Sequence, residues 1–397
     1  MFARLVLGMM GTLATLSMVA EARAGGGPLT PEEQLGKRLF FDESLSTPPG
    51  QSCAACHSPD TGFTGPISEI NAAGSVYPGA VHQRFGNRKP PTAAYGGDSP
   101  VLSYDESEEV WIGGMFWDGR ATGWRLGDPL AEQAQGPFLN TLEQNNPNPR
   151  LVCIRIAGSD YAGLFEEVWG AGSLDCGEGL GETYERVGRS ISAYEQSSEV
   201  NPFTSKYDSF LAGTVALTEQ EAWGLELFDR ADKGNCAACH PSQLGSNGEP
   251  PLFTDFTYDN LGVPRNPQNP FYAAPRKWNP LGLDWVDLGL GGFLESAGYT
   301  PEEYEAEHGK QKVPTLRNVD LRPYEGFVKA YGHNGVFKSL EDIVHFYNTR
   351  DVEDWPPPEV SANVNSDELG NLGLSAEEEA AIVAFLKTLS DGFTVPE

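Results

Sequence analysis

The pentapeptide Cys53-Ala54-Ala55-Cys56-His57, CAACH, returns as Cys236-Ala237-Ala238-Cys239-His240, 183 positions later (236 − 53). The chain has 6 Cys and 6 His, and this one repeated unit takes most of the first and a third of the second. Two thiols at this spacing reach the two vinyl groups of one porphyrin, and the adjacent imidazole then meets the iron from below. A zinc knuckle would need further Cys or His at short spacing, which neither copy has. The expectation is therefore two covalently attached haem c groups, one at Cys53, Cys56 and His57, the other at Cys236, Cys239 and His240. A chain so marked builds around its cofactors.

The repeat extends beyond the pentapeptide. TPEEQLGKRLFFD at 30–42 and TEQEAWGLELFD at 218–229 superpose with a shift of 188 (218 − 30), which sets Thr30 on Thr218, Gly36 on Gly224, Leu39 on Leu227 and Phe40 on Phe228. Thr followed by acids and then by apolar residues three and four apart is a capped helix with one buried face. Further helices are predicted at 184–198 and 339–350 and in LSAEEEAAIVAFLKTL, where Ser375 and Glu378 form a capping box and Ile382, Phe385, Leu386 and Leu389 a stripe. The remainder, with 46 Gly and 30 Pro in the chain, reads as loops. The fold expected is mainly α: two cytochrome c-like haem domains, loop-rich, related by internal duplication. Residues 25–210 form the first and 211–397 the second, with the boundary in NPFTSKYDSFLAGTVALT.

Residues 1–24 have the layout of a secretory signal: Arg4, an apolar run from Leu5 to Ala20, and Ala22-Arg23-Ala24 before Gly25. The run is shorter than the ~20 residues of a membrane span, and no later segment is long and apolar enough. The mature protein is expected in the periplasm, without a membrane span. In that oxidising compartment Cys153 and Cys176, left over from the haem motifs, are expected to pair. A formal charge of −29 excludes nucleic acid and favours a basic redox partner.

What each iron does depends on its second axial ligand. The methionines are Met1, Met9, Met10, Met18 and Met115, so the second half offers no Met. Its candidates are His308, His333, His345 and tyrosines such as Tyr347. His345 and Tyr347 lie two apart on the predicted helix SLEDIVHFYNTR and point in different directions, so only one can meet the iron. In the first half His82 is the only free imidazole.

The chain resembles the bacterial di-haem cytochrome c peroxidase and MauG superfamily over nearly its whole mature length. The marks are the paired CAACH units, FWDGR at Phe116 to Arg120, LAEQAQGP at Leu130 to Pro137, VPTLRNV at Val313 to Val319, and GHNGVFKSLEDIVHFYN at Gly332 to Asn348. The resemblance implies a peroxidase acting on hydrogen peroxide, with His57 proximal to the catalytic haem and His240 to an electron-holding haem. Peroxidases of the family take a Met ligand fourteen positions after the His of a His-x-Gly motif; from His333 that position is Tyr347, as in the Tyr-ligated, MauG-like branch. A phenolate ligand stabilises higher oxidation states of iron, which suits storage of oxidising equivalents more than electron uptake from a cytochrome.

By the same resemblance Trp117 lies between the haems, Gln133 and Glu143 stand over the catalytic haem, and Pro137 packs on that face. A carboxylate there can take a proton from peroxide and return it to the leaving oxygen. The oxidised substrate would be a periplasmic partner protein or another electron donor; the other readings are an ordinary cytochrome c peroxidase and a non-catalytic di-haem electron carrier. Three features depart from the family. The spacer ATGWRLGDP, with Trp124, is long. His82 stands where peroxidases keep a distal histidine, and as a metal ligand it would close the first iron at rest. The resemblance also brings a Ca2+ ion between the haems, but Lys89 replaces the Asn that helps to bind it.

Overall fold

The computed structural model describes residues 27–395, and the export segment read at 1–24 lies outside the described residues. Twelve α-helices occur among the described residues. In chain order they are α1 (Pro31–Phe41), α2 (Ser68–Ala72), α3 (Pro129–Leu139), α4 (Pro149–Ala157), α5 (Ala162–Trp169), α6 (Leu180–Glu195), α7 (Lys206–Leu211), α8 (Glu219–Asp229), α9 (Gly289–Ala297), α10 (Pro301–Glu305), α11 (Leu340–Thr349) and α12 (Ala376–Lys387). The strands are short: β1 (Ser103–Asp105) pairs antiparallel with β2 (Val110–Ile112), and β3 (Tyr258–Asp259) with β4 (Gln311–Lys312). The fold is mainly helical and loop-rich, as expected.

Local chemistry explains the helix ends. Thr30, Thr218 and Ser375 each close a capping box with the acid three residues on, satisfying donors that the first turn leaves open. The helix predicted at 184–198 runs instead over Leu180–Glu195. It starts after Gly179 and ends where Ser197 N turns back to Tyr194 O.

Two helix crossings repeat. α1 crosses α6 at Gly36, where a Cβ would stand 1.8 Å from Ser190 O; α8 crosses α12 at Gly224, where it would stand 1.9 Å from Ala381 O. Only glycine permits backbones to approach so closely. Around the first crossing Leu35, Leu39 and Phe40 pack with Val187, Ile191 and Tyr194. Around the second, Leu227 and Phe228 pack with Ile382, Phe385, Leu386 and Leu389, the stripe read from the sequence. Burying each such side chain contributes about 1.5–3 kcal/mol. Tyr207 of α7 also belongs to the second cluster, and its N–H donates to Thr388 O.

Polar clamps tie the halves together. Half-buried Arg88 donates to Asp118 at 2.6 Å and, through two nitrogens, to Asp287 at 2.6 and 2.7 Å. Lys329 Nζ donates to Thr61 O, Asn318 O and Leu321 O. Cys153 on α4 is bonded to Cys176, as expected. No helix among the described residues is long and apolar enough to cross a membrane.

Candidate functional site

The first CAACH forms a single 3-10 turn, Cys53–Ala55, directly after which His57 enters a cavity. Its Nδ1 is 3.1 Å from Phe63 O. Donation of that ring N–H to the carbonyl fixes the tautomer and leaves Nε2 free. Burial lowers the His57 pKa to about 4, so the imidazole is neutral, the form a metal needs. Phe63 holds this carbonyl in place at φ 57°, in the left-handed region that a bulky residue seldom adopts. Gln51 Nε2 and Gln144 Nε2 each stand 3.9 Å from a sulfur, of Cys56 and Cys53 respectively.

Gln133 and Pro137, from α3, line the same cavity with Trp117, Arg120, Met115 and Glu143. Glu143 follows α3 in a turn closed by its own N–H on Asn140 O and by Gln144 N–H on Pro137 O. Burial raises its pKa, and the Arg120 charge and the Asn140 side chain offset part of that rise. His82 is elsewhere. It sits at the exposed corner of the turn that Arg84 N–H closes on Val81 O, outside the residues lining this cavity.

The second CAACH repeats the arrangement. Cys236–Ala238 is again a 3-10 turn, and His240 Nδ1 is 2.7 Å from the carbonyl of Phe253, whose φ is 54°. Burial lowers the His240 pKa too. The rest of the lining differs: it includes Ile343, Val344 and Tyr347 of α11, with Leu372, Ile382 and Leu386. Burial, and the Cys239 and Cys236 sulfurs nearby, push the Tyr347 hydroxyl well above its ordinary pKa. His345, two residues before, turns outward between Glu379 at 3.0 Å and Glu353 at 3.2 Å. His333 also lines the cavity, with Nε2 3.5 Å from Glu359 and its ring 6.5 Å from that of Trp117. His308 instead stacks on Tyr304.

Trp117 lies in the wall that both cavities share, with Lys89, Pro91 and Thr92. Its Nε1 donates to Lys89 O at 2.9 Å, and Lys89 N–H donates to His333 O at 2.8 Å. Arg88 and Arg120 hold Asp118, the next residue of FWDGR, and so anchor the backbone beside the indole. Trp124, in the long spacer, is half exposed; its Nε1 donates to Leu102 O.

A family model, di-haem cytochrome c peroxidase, matches residues 30–216. The methylamine utilization protein MauG of Paracoccus denitrificans is 36% identical over 371 residues, 90% of this chain and 88% of that protein. This chain belongs to the di-haem cytochrome c peroxidase and MauG family. Cytochrome-c peroxidase IdrP2 of Denitromonas iodatirespirans is 29% identical, over 95% of this chain and 85% of its own. The diheme peroxidase BthA of Burkholderia thailandensis superposes with a TM-score of 0.75 at 31% identity, covering 93% of this chain and 87% of that one. The chain is accordingly a haem peroxidase, an oxidoreductase acting on hydrogen peroxide.

The residues present fit the two haems of a di-haem peroxidase. Cys53, Cys56, Cys236 and Cys239 are free thiols. Burial raises all their pKa values, to about 12 for Cys56, Cys236 and Cys239, which is unlike the lowered pKa of a redox dithiol. Gln51 Oε1 and Gln144 Oε1 are buried without a partner beside the first pair. Sequence reasoning missed these glutamines, the two Phe carbonyls, and Glu195, which is 3% exposed and lines the first cavity with Oε2 unpartnered. One signal for Glu195 existed: it lies four residues after Ile191 on the buried face of α6, an acid within an apolar stripe.

Proposed function

We propose that this protein is a periplasmic, MauG-like di-haem peroxidase. Cys53, Cys56 and His57 would hold the haem that reduces peroxide, and Cys236, Cys239, His240 and Tyr347 would hold a second haem able to share the oxidising equivalents. A partner protein or another electron donor, basic enough to approach a surface of formal charge −29, is then oxidised. The observation carrying this reading is that Tyr347, and not His345, lines the second cavity together with the turn that bears His240. When bound, haem supplies the redox-active iron; the chain supplies ligands, protons and an electron route.

Each residue then has a task. Glu143, with its raised pKa, takes the peroxide proton and returns it to the departing oxygen, and Gln133 orients the bound molecule. Trp117 carries electrons across the shared wall. Tyr347 gives up its proton to ligate, which burial opposes unless a cation faces the phenolate. Because His82 is exposed, we read the first iron as open to peroxide, which disfavours the electron-carrier alternative. The paired crossings at Gly36 and Gly224, each followed by a CAACH turn and a His–Phe carbonyl bond, support internal duplication into haem domains 25–210 and 211–397.

Low-temperature EPR of the resting ferric protein, with optical spectra after peroxide, tests this on wild type and Tyr347→Phe. Wild type should give one high-spin and one low-spin signal. The variant should alter the low-spin signal and abolish the long-lived near-infrared band that follows peroxide. Two low-spin signals, unchanged by the mutation and inert to peroxide, would hand the protein to the electron-carrier reading.

A further inference from the structure

Lys89 is a buried cation with no counter-charge. It is 9% exposed and lines both cavities. Among the described residues its ammonium donates to one acceptor, Pro90 O at 3.2 Å, and no ion pair involves it. Burial alone displaces its pKa, to about 8, with no carboxylate near enough to oppose that. A buried ammonium left so is costly, and the cost persists only where something absent from the protein itself is the partner.

The other cations around the cavities are already engaged. Arg88 is held by Asp118 and Asp287, Arg120 by Asp118, and Arg317 by Asp208 and Pro251 O. Lys329 donates to its three carbonyls, and Lys312 to Gly113 O and Phe256 O. Each haem carries a pair of propionate carboxylates, and any of these that these cavities enclose would need a cation. No group of three or more His, Cys, Asp or Glu among the described residues could hold a metal ion to serve them.

We propose that Lys89 is a built-in counter-ion shared by the propionates of the two haems, filling between the cavities the role that a bound metal ion would otherwise take. The inference rests on the two haems of the family and not on the peroxide chemistry, so the two can fail separately. A cation in the wall between two haem cavities favours the ferrous state of each haem, which carries one positive charge fewer. Through its own backbone the same residue fixes Trp117 and His333, so one position sets both the electrostatics and the geometry of the wall.

Spectroelectrochemical titration of the holoprotein tests this on wild type, Lys89→Met and Lys89→Arg, with metal content measured before and after EDTA. In Lys89→Met the ferric-to-ferrous ratio at fixed applied potential should rise about tenfold at both haems, ~59 mV for a one-electron couple. Lys89→Arg should stay near wild type. Wild type should hold no stoichiometric Ca2+, and EDTA should leave both potentials in place. A shift at neither haem, or at one only, overturns the proposal. So does stoichiometric Ca2+ whose removal moves both potentials, and this arm decides the matter even if Lys89→Met does not mature.

Discussion

The two cavities are alike around their CAACH turns and unlike in the rest of their lining. Each has a CAACH 3-10 turn and a neutral histidine whose Nδ1 meets a Phe carbonyl at positive φ. Beyond that, the first is lined by Gln133, Glu143 and Arg120, and the second by aliphatic residues of α11 and α12 with Tyr347. One local geometry used twice thus stands in two different surroundings. The difference lies in what can move a proton: the first cavity has a half-buried acid of raised pKa, whereas the second has a phenol held well above its ordinary range.

Removing the acid should erase most of that contrast. Glu143→Gln keeps the size of the side chain and should slow the peroxide reaction by roughly 10²–10⁴-fold, the usual contribution of a positioned acid-base group. The sign in pH follows from burial. Because the folded pKa of Glu143 is raised, the carboxylate is lost as pH falls through a value above that of an ordinary glutamate. The wild-type rate should fall on that acid side, and the variant should lose that limb. A variant with the full wild-type rate and an unchanged pH profile would remove Glu143 from the proton step.

The second test addresses the wall between the cavities. Trp117→Phe keeps an aromatic ring but loses the Nε1–H that donates to Lys89 O. Peroxide should still bleach the first haem, while the response of the second slows by about 10²-fold, the scale on which misplaced groups cost rate. Stopped-flow traces at wavelengths that separate the haems read this directly. Equal slowing at both haems would mean that Trp117 supports the first site structurally and is no relay.

Much of this contrast is legible in the amino-acid sequence. The CAACH pair, the Thr-capped helices and the aliphatic stripe of α12 are local patterns with local causes, so periodicity and spacing expose them. Which member of a nearby pair faces inward is harder. His345 and Tyr347 share one helix, and only tertiary packing against Glu379 and Glu353 draws His345 out. The hydrogen-bond partners of the two ligand histidines are illegible for a further reason. A backbone carbonyl has no letter of its own, and Phe63 and Phe253 stand six residues after His57 (63 − 57) and thirteen after His240 (253 − 240), so no common spacing announces them. His82 is suggested by its position in the resemblance alone, and the Val81–Arg84 turn puts it at the surface.

The smallest effect discriminates the halves by stability. Gly36→Ala and Gly224→Ala make the same substitution at the two repeated crossings, and each new Cβ meets a helix carbonyl oxygen, Ser190 O at 1.8 Å or Ala381 O at 1.9 Å. Overpacking of this kind costs about 1–3 kcal/mol, because backbone, unlike a flexible side chain, can yield only by moving the whole helix. If the halves are separately cooperative, each variant should loosen its own haem first: Gly36→Ala should lower the midpoint followed at the His57 haem, and Gly224→Ala the one at the His240 haem. Thermal melts followed at wavelengths specific to each haem read the two midpoints. The clamps at Arg88 and Lys329 argue the other way, since they join the halves through buried charge and carbonyl contacts. A common midpoint for both haems in both variants would mean that these clamps couple the halves into one folding unit, and the two cavities would then differ in chemistry but not in stability.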